Sequence, residues 1–423
     1  MNVKLAERKL LVIISITCGL LLCLRCISNV FIYPFLIVAA IPFCIAPFRV
    51  CLPLLFFLLP SANIIKLQPG QISLFTVFFL IYSVRVLFKK GALTQKFLTC
   101  LVFFVAYSFI FSGFEKFITI ATMACGFVML HEICISDDYN FEEVLYAFCF
   151  GLIVASVLGL FRETLPIVDR FVVEIHHKVN PGEYTERFCG LMSNPNYYSM
   201  DISVALSCLV VNITKGKNKL LTILFVVLSF FGLLSVSKSF LLVWAMMLII
   251  LVLYSIKNGG TSFLSIIIVL LVLCLCIYAF GQEMISTYIQ RLESDADADA
   301  TLSGITTGRS DVWFAYLKAS VSDIKGLLFG NGLGNFLDSK APHNTYIEAL
   351  FNMGVIGLII YFLLLKMSVN LEYYPKRILF YIPIIMMLVR FFGIGFFAHD
   401  NIWYYYSLAC LTLKSSAVKK SHL

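Results

Sequence analysis

Charge is what this sequence has least of. Only 13% of its 423 residues are Asp, Glu, Lys or Arg, about half the share usual in a soluble domain. A soluble catalytic domain of ordinary size is therefore excluded. Histidine is scarce too, with six residues. No HExxH pair and no clustered His/Cys ligand set occurs, so a metalloenzyme site is not expected. A nucleotide-binding P-loop is also missing. Gly330, Gly332 and Gly334 follow no strand, so they imply no dinucleotide site. No repeat of 20–50 residues is visible, nor the inverted pair of interrupted helices typical of transporters.

What is abundant is apolar. Hydrophobic residues make up 60% of the chain, and the mean hydropathy is +0.93. Apolar runs long enough to cross a bilayer recur along the sequence. They fall at 10–24, 30–48, 50–60, 72–88, 97–113, 117–135, 141–161, 190–213, 220–236, 239–256, 261–281, 346–366, 378–397 and 400–413. The third and last are short enough to be re-entrant or tilted. The expectation is an all-α integral membrane protein with about 12–14 transmembrane helices. The 14 cysteines lie mostly within these runs, where a thiol behaves as a small hydrophobe. Cys274 and Cys276 form an isolated CxC with no accompanying ligands.

The net charge of +8 is scattered in small groups between apolar runs. That is a topology signal and not a nucleic-acid footprint, so no nucleic-acid partner is expected. With the N-terminus in the cytoplasm, the inner segments hold Lys4, Arg8, Lys9, Arg49, Lys89, Lys90, Lys96, Lys215, Lys217, Lys219, Lys257, Lys366, Lys376, Arg377, Lys414, Lys419 and Lys420. The short outer turns hold only Arg25, Lys66, Lys116 and Lys238. Both chain ends then come out cytoplasmic.

The chain divides into N-terminal membrane helices (1–161), an outer loop (162–189), central helices (190–281), a large outer loop (282–345) and C-terminal helices with a cytoplasmic tail (346–423). Long loops in compact proteins usually carry function. The second loop contains Asp295, Asp297 and Asp299, which read as a solvated acidic turn because no Gly turn or distal Glu completes a calcium loop. Asp311 to Val321 can form a short helix with Val312, Trp313, Tyr316 and Leu317 on one face, suited to the outer membrane surface. His176 and His177 read as surface-loop residues, and His131, His399 and His422 have no evident partners.

Chemistry concentrates at two helix starts. Thr345 and Glu348 have capping-box spacing, predicting a helix from about Tyr346 that enters the membrane from outside. Its N-terminal end favours anions such as phosphate. His343 sits just before that end, either closing the loop or doing chemistry. Ser193-Asn194-Pro195-Asn196 repeats the arrangement next to Arg187, either as a cap or as a sugar or phosphate contact. Lys238, between two apolar runs, either snorkels or meets an anion. Arg309 is either a solvated loop charge or a phosphate ligand.

These stretches resemble the O-antigen polymerase and O-antigen ligase superfamily of bacterial inner-membrane glycosyltransferases. The resemblance rests on Arg187 to Asn194-Pro195-Asn196, on Gly308-Arg309-Ser310 with Trp313 and the glycines 330–334, and on His343-Asn344-Thr345-Tyr346-Ile347-Glu348 with Gly354 and Gly357. Ser237-Lys238-Ser239 is a weaker match, since the family more often has Arg there. The matching part covers about 187–366.

The resemblance implies a metal-independent, cofactor-free transfer on the periplasmic face of the inner membrane. The donor would be an undecaprenyl-pyrophosphate-linked oligosaccharide. A polymerase would pass it to the sugar hydroxyl of another lipid-linked unit, making O-antigen or capsule in lipopolysaccharide or other polysaccharide biosynthesis. A ligase would pass it to lipid A–core, and a lipid-linked oligosaccharide flippase is the alternative of another class. His343 would be the general base. Arg187, Arg309 and Lys238 would hold the pyrophosphate. Asn194, Asn196, Trp313, Asn344 and Glu348 would contact substrate. Membrane lipid, a chain-length regulator and a flippase are the implied partners.

Overall fold

The computed structural model describes residues 2–89, 91, 93–172, 177–180, 183–185, 187–215, 219–258, 309–338, 340–369, 378–397 and 399–417, with the single positions 278, 286 and 289. The apolar run 261–281, Cys274, Cys276, Asp295, Asp297, Asp299, His176, Lys90, Lys217, Lys376, Arg377, Lys419, Lys420 and His422 lie outside the described residues.

The fold is helical. The main helices are α1 (Asn2–Ile27), α2 (Ile32–Ile45), α3 (Phe48–Leu58), α4 (Leu74–Leu87), α5 (Gln95–Ser112), α6 (Phe117–Ile135), α7 (Phe141–Leu160), α8 (Pro166–Phe171), α9 (Pro195–Ile213), α10 (Lys219–Leu234), α11 (Lys238–Asn258), α12 (Arg309–Ser322), α13 (Ile324–Phe329), α14 (Thr345–Ser368), α15 (Ile382–Phe391) and α16 (Asn401–Ala417). A short antiparallel hairpin, β1 (His177–Asn180) and β2 (Glu183–Thr185), pairs His177 with Thr185. Among the described residues six helices are long and apolar enough to cross a membrane, those at Leu5–Ile27, Gln95–Ser112, Phe114–Ile135, Phe141–Leu160, Lys238–Ile256 and Thr345–Ser368. Five shorter apolar helices accompany them, as expected of an α-helical membrane protein.

The chain forms two units that interleave in sequence. Unit 1 comprises Met1–Phe78 and Asn140–Ser294; unit 2 comprises Phe79–Tyr139 and Asp295–Leu423. In unit 1, α9 is the central helix and is buried over almost its whole length. It packs with α7, α10 and α11. α1 and α7 run parallel: Arg8, near the start of α1, pairs with Glu143, near the start of α7. The far end of α7 meets Gly190, whose backbone lies where a β-carbon on Gly159 would sit, 2.6 Å away. Arg25 and Arg187 are thus at one end of unit 1, and Arg8 is at the other.

Unit 2 packs α5, α6, α14 and α16 around Phe104, Phe127, Tyr361 and Trp403. Its two ends differ in charge. At one end Lys89 pairs with Glu132 (2.7 Å) and Lys414 pairs with Asp137 (3.1 Å). Lys414 also donates to the carbonyls of Cys134 (3.3 Å) and Ser136 (2.6 Å), where the dipole of α6 favours a cation. The other end carries the start of α14.

Two expectations needed correction here. The apolar run 378–397 is not one helix: α15 ends at Phe391 and 392–397 continues without helical structure. The capping box at Thr345 and Glu348 does not form. Asn344 is the N-cap of α14, its Oδ1 accepting from the N–H groups of Tyr346 (3.0 Å) and Ile347 (3.2 Å). Both outcomes share one cause. Thr345 spends its hydroxyl on the segment after α15, donating to Ile394 O (2.7 Å) and accepting from Phe396 N (3.1 Å).

Candidate functional site

The start of α14 gathers the residues of unit 2 with most chemical potential. A loop is first held in place by α12. The Tyr316 hydroxyl donates to Lys340 O and accepts from Leu337 N (2.8 Å), and the Trp313 indole donates to Pro342 O (2.8 Å). The next residue is His343, whose φ is 48°. A left-handed backbone at a non-glycine residue is costly and is kept only where its surroundings enforce it. Here α12 fixes the residue before it and the Asn344 cap fixes the residue after it.

His343 is exposed. Partial desolvation by its surroundings, and then the nearby Arg309 charge, hold its pKa below the ordinary histidine value of 6.5. It is therefore a neutral base at pH 7. Arg309 opens α12, is half-buried, and donates from Nη1 to Gly393 O (3.1 Å). The same 392–397 segment receives Glu348. Its Oε2 lies 2.6 Å from where a β-carbon on Gly395 would sit, and it accepts from Phe397 N at 3.4 Å. Asn344 Nδ2 reaches Phe392 O at 3.5 Å. The structure thus brings Arg309, Trp313, His343, Asn344 and Glu348 together. Trp313, Asn344 and Glu348 each already have a protein partner.

Further along, α14 breaks at Gly354 (φ 61°). The carbonyls released by the break find partners in the glycine-rich turn after α13. Asn331 N donates to Phe351 O (2.8 Å) and Gly332 N donates to Asn352 O (3.0 Å). The Tyr107 hydroxyl lies 2.8 Å from both Phe329 O and Met353 O. A broken helix at membrane depth is tolerated when its backbone is satisfied in this way. A β-carbon on Gly354 would lie 2.4 Å from Gly330 N, so the approach needs glycine.

An apolar cavity of about 270 Å³ begins at Thr345 and Tyr346, beside His343, and runs between α14, α15 and α16 as far as Val369 and Leu413. All its lining residues belong to unit 2.

Unit 1 holds a second polar cluster. Asn194 caps α9, its Oδ1 accepting from Asn196 N (2.8 Å), with Pro195 at the first helical position. The Asn196 Oδ1 accepts from Arg187 Nη2 (3.2 Å) and Ser237 Oγ (3.3 Å). Arg187 is buried and donates from Nε to Ser235 O (2.9 Å). Ser235, Val236 and Ser237 form the turn into α11, whose first residue is the half-buried Lys238. Val236 has φ 47°, rarer still for a β-branched residue. The sequence reading found Arg187, Asn194, Asn196 and Lys238 but not the Val236 turn that presents the Ser235 carbonyl. It also missed Gly393 and Gly395, which carry no side chain: Gly393 acts through its carbonyl and Gly395 through close approach.

Among the described residues no group of three His, Cys, Asp or Glu side chains is arranged to hold a metal ion. No protein-family profile, no curated protein and no solved structure matches this chain.

Proposed function

We propose that this chain is a bacterial inner-membrane polysaccharide polymerase that uses an undecaprenyl-pyrophosphate-linked glycan as donor and the sugar hydroxyl of another lipid-linked unit as acceptor. The observation that carries the reading is the start of α14. An exposed, neutral histidine is locked in a left-handed backbone beside a cation, two residues before Thr345, which lines an apolar cavity. A base, a cation for phosphate and an apolar channel for a long lipid are the parts this transfer needs.

In the proposed step His343 accepts the proton of the acceptor hydroxyl. The freed oxygen bonds to the anomeric carbon of the donor sugar, whose bond to the pyrophosphate oxygen breaks. The electron pair leaves with undecaprenyl pyrophosphate. Arg309 in unit 2 stabilises the charge on the leaving group. Arg187 and Lys238, with Asn194 and Asn196 beside them, form unit 1's own polar cluster, whose cations have the same chemistry toward a pyrophosphate. Trp313, Asn344 and Glu348, held by protein partners, position His343 and Arg309.

The proposed topology has both chain ends in the cytoplasm and about 12–14 spans. Supporting it, Arg8 lies at one end of unit 1, opposite Arg187. In unit 2, Lys89 and Lys414 lie at the end of α6 opposite the start of α14. The Arg187 and His343 ends are then periplasmic.

The test is His343→Ala in a strain lacking the native gene, with the protein level checked. Loss of the polysaccharide ladder with a single repeat retained is expected. A normal ladder would remove His343 from the mechanism. Core alone, with lipid-linked polymer accumulating, would identify the ligase acceptor instead.

A further inference from the structure

We infer that Tyr107 is a positioning residue for the proposed transfer: from α5, its hydroxyl fastens the half of α14 that follows His343 to the Arg309-bearing α12–α13 segment. The inference deepens the transferase reading and rests on it. The two groups assigned to the chemistry stand on different elements. His343 precedes the outer half of α14, which ends at the Gly354 break. Arg309 opens α12, and α13 follows directly, capped by Asp323, which accepts from Lys325 N and Gly326 N (both 3.0 Å). Near the site the two elements meet through Trp313, whose Nε1 donates to Pro342 O (2.8 Å). Attachment at that end leaves the tilt at the other end to be set.

The setting is done at the break. At Gly354 (φ 61°) the helical ladder is interrupted, so the inner half of α14 does not by itself fix the outer half. The outer half is tied instead to the turn after α13. Asn331 donates from N (2.8 Å) and from Nδ2 (3.1 Å) to Phe351 O, and Gly332 N donates to Asn352 O (3.0 Å). These bonds join two pieces to each other and to no third element. The third element is α5, one unbroken helix packed on α6 and α14. The Tyr107 hydroxyl lies 2.8 Å from Phe329 O on one piece and 2.8 Å from Met353 O on the other, and its single proton serves both. Its ring is also seated past the break, since a β-carbon on Gly357 would lie 2.6 Å from Tyr107 Cε1. Two neighbours on α5 reach the α13 side only. Ser112 Oγ accepts from Leu333 N (2.8 Å), and Phe111 stacks on Phe329 with 5.1 Å between ring centres. Among the described side chains of α5, Tyr107 alone hydrogen-bonds both pieces.

The leverage is large. From Thr345 to Met353 the outer half is a rod of about 14 Å, so a tilt of about 4° at the break shifts its start by about 1 Å. A shift of that size at a reacting group costs on the order of 100-fold in rate. Tyr107 meets α14 at Met353, ten residues past His343, so it acts on the base through the tilt and not by contact. Its loss therefore falls on the chemical step and leaves the affinity for substrate largely intact.

The test is Tyr107→Phe, which removes the hydroxyl and keeps the ring. The purified full chain is assayed in detergent with the lipid-linked repeat units that accumulate in a strain lacking the native gene. The expected result is a kcat about 10–100-fold lower per folded molecule, with KM close to the native value. Amide exchange at Asn331 and Gly332 should also quicken, a readout that needs no activity. Tyr82→Phe is the control. It removes a hydroxyl that meets the Tyr139 hydroxyl (2.9 Å) at the Lys89 end of unit 2, and it should lower stability while keeping kcat. Native kcat in Tyr107→Phe, a loss no larger than that of Tyr82→Phe, or unchanged amide exchange would each overturn the inference. His343→Ala separates the two levels. If it is inactive while Tyr107→Phe keeps native kcat, only the role of Tyr107 falls. If His343→Ala is itself fully active, the transferase reading falls and takes this inference with it.

Discussion

The two polar clusters are built to opposite plans. In unit 1 the cation is enclosed: Arg187 is buried, and its Nε and Nη2 donate to Ser235 O and Asn196 Oδ1. In unit 2 the base is displayed: His343 is exposed while its supports, Asn344, Thr345 and Glu348, are buried. Each plan has a strained residue at its centre, Val236 in one and His343 in the other. The difference teaches where substitution should hurt. An enclosed arginine joins elements, so its loss is felt as stability as well as binding. A displayed histidine with no side-chain hydrogen bond among the described residues joins no elements there, so its loss should be felt in chemistry alone.

The largest expected effect breaks or upholds that contrast directly. His343→Ala should lower the transfer rate by about 10²–10⁴-fold, the usual contribution of a general base, with the unfolding midpoint unchanged. Arg187→Ala should lower both, because it strands the Asn196 and Ser235 acceptors. Equal loss of stability in the two variants would end the comparison. Next in size is packing. Gly190 (φ 56°) sits so that a β-carbon would lie 2.8 Å from the Tyr198 ring. Gly190→Ala should destabilise by about 1–3 kcal/mol, from the left-handed backbone and the clash together. Thermal unfolding in detergent checks it.

A pH profile sharpens the unit 2 side. The His343 pKa lies below 6.5, so the neutral base is present above that pKa and is lost as pH falls through it. The acid limb of kcat/KM should therefore lie below pH 6.5 in the native chain. Removing the neighbouring charge in Arg309→Gln should move that limb upward, toward the ordinary histidine value. A limb that stays in place would show that another group titrates. The same sign holds for stability: protonating a histidine whose folded pKa is depressed costs folding free energy, so its contribution is lost on the acid side.

Much of this was legible in the sequence where one physical rule acts alone. Hydropathy placed most described helices to within a few residues, and Asn194-Pro195 announced the start of α9 because cap and first-turn preferences are local. Reading failed where a distant partner competes for a local group. The capping box needs Thr345 and Glu348 to turn toward their own helix, but the 392–397 segment takes both side chains. That segment also ended the last-but-one apolar run early, although its residues are apolar enough to continue it. The break at Gly354 was hidden for the same reason. Its cause lies some twenty residues back, in the turn at Gly330–Gly332, and in the Tyr107 hydroxyl. The interleaving of the two units leaves no compositional mark at Phe78 or Tyr139.

The smallest prediction compares the two caps. Asn194 and Asn344 perform the same local task, each accepting a backbone N–H at a helix start. Asn194→Ala should therefore cost about 1 kcal/mol of stability, the usual worth of an N-cap. Asn344→Ala removes a cap of the same kind, yet the first turn of α14 is also held by the Thr345 bonds to Ile394 and Phe396. Those bonds should limit its stability cost to the same range or less. They do not constrain the left-handed backbone of His343, which the Asn344 cap helps to hold. So Asn344→Ala should lower kcat more than its stability cost implies, and Asn194→Ala should not. Substitution by Ser, which also caps, should restore stability at both positions and kcat at 344. If the two alanine variants lose kcat only in proportion to stability, the α14 cap does no more than start a helix, and the orientation of His343 must come from the α12 clamp at Pro342 alone.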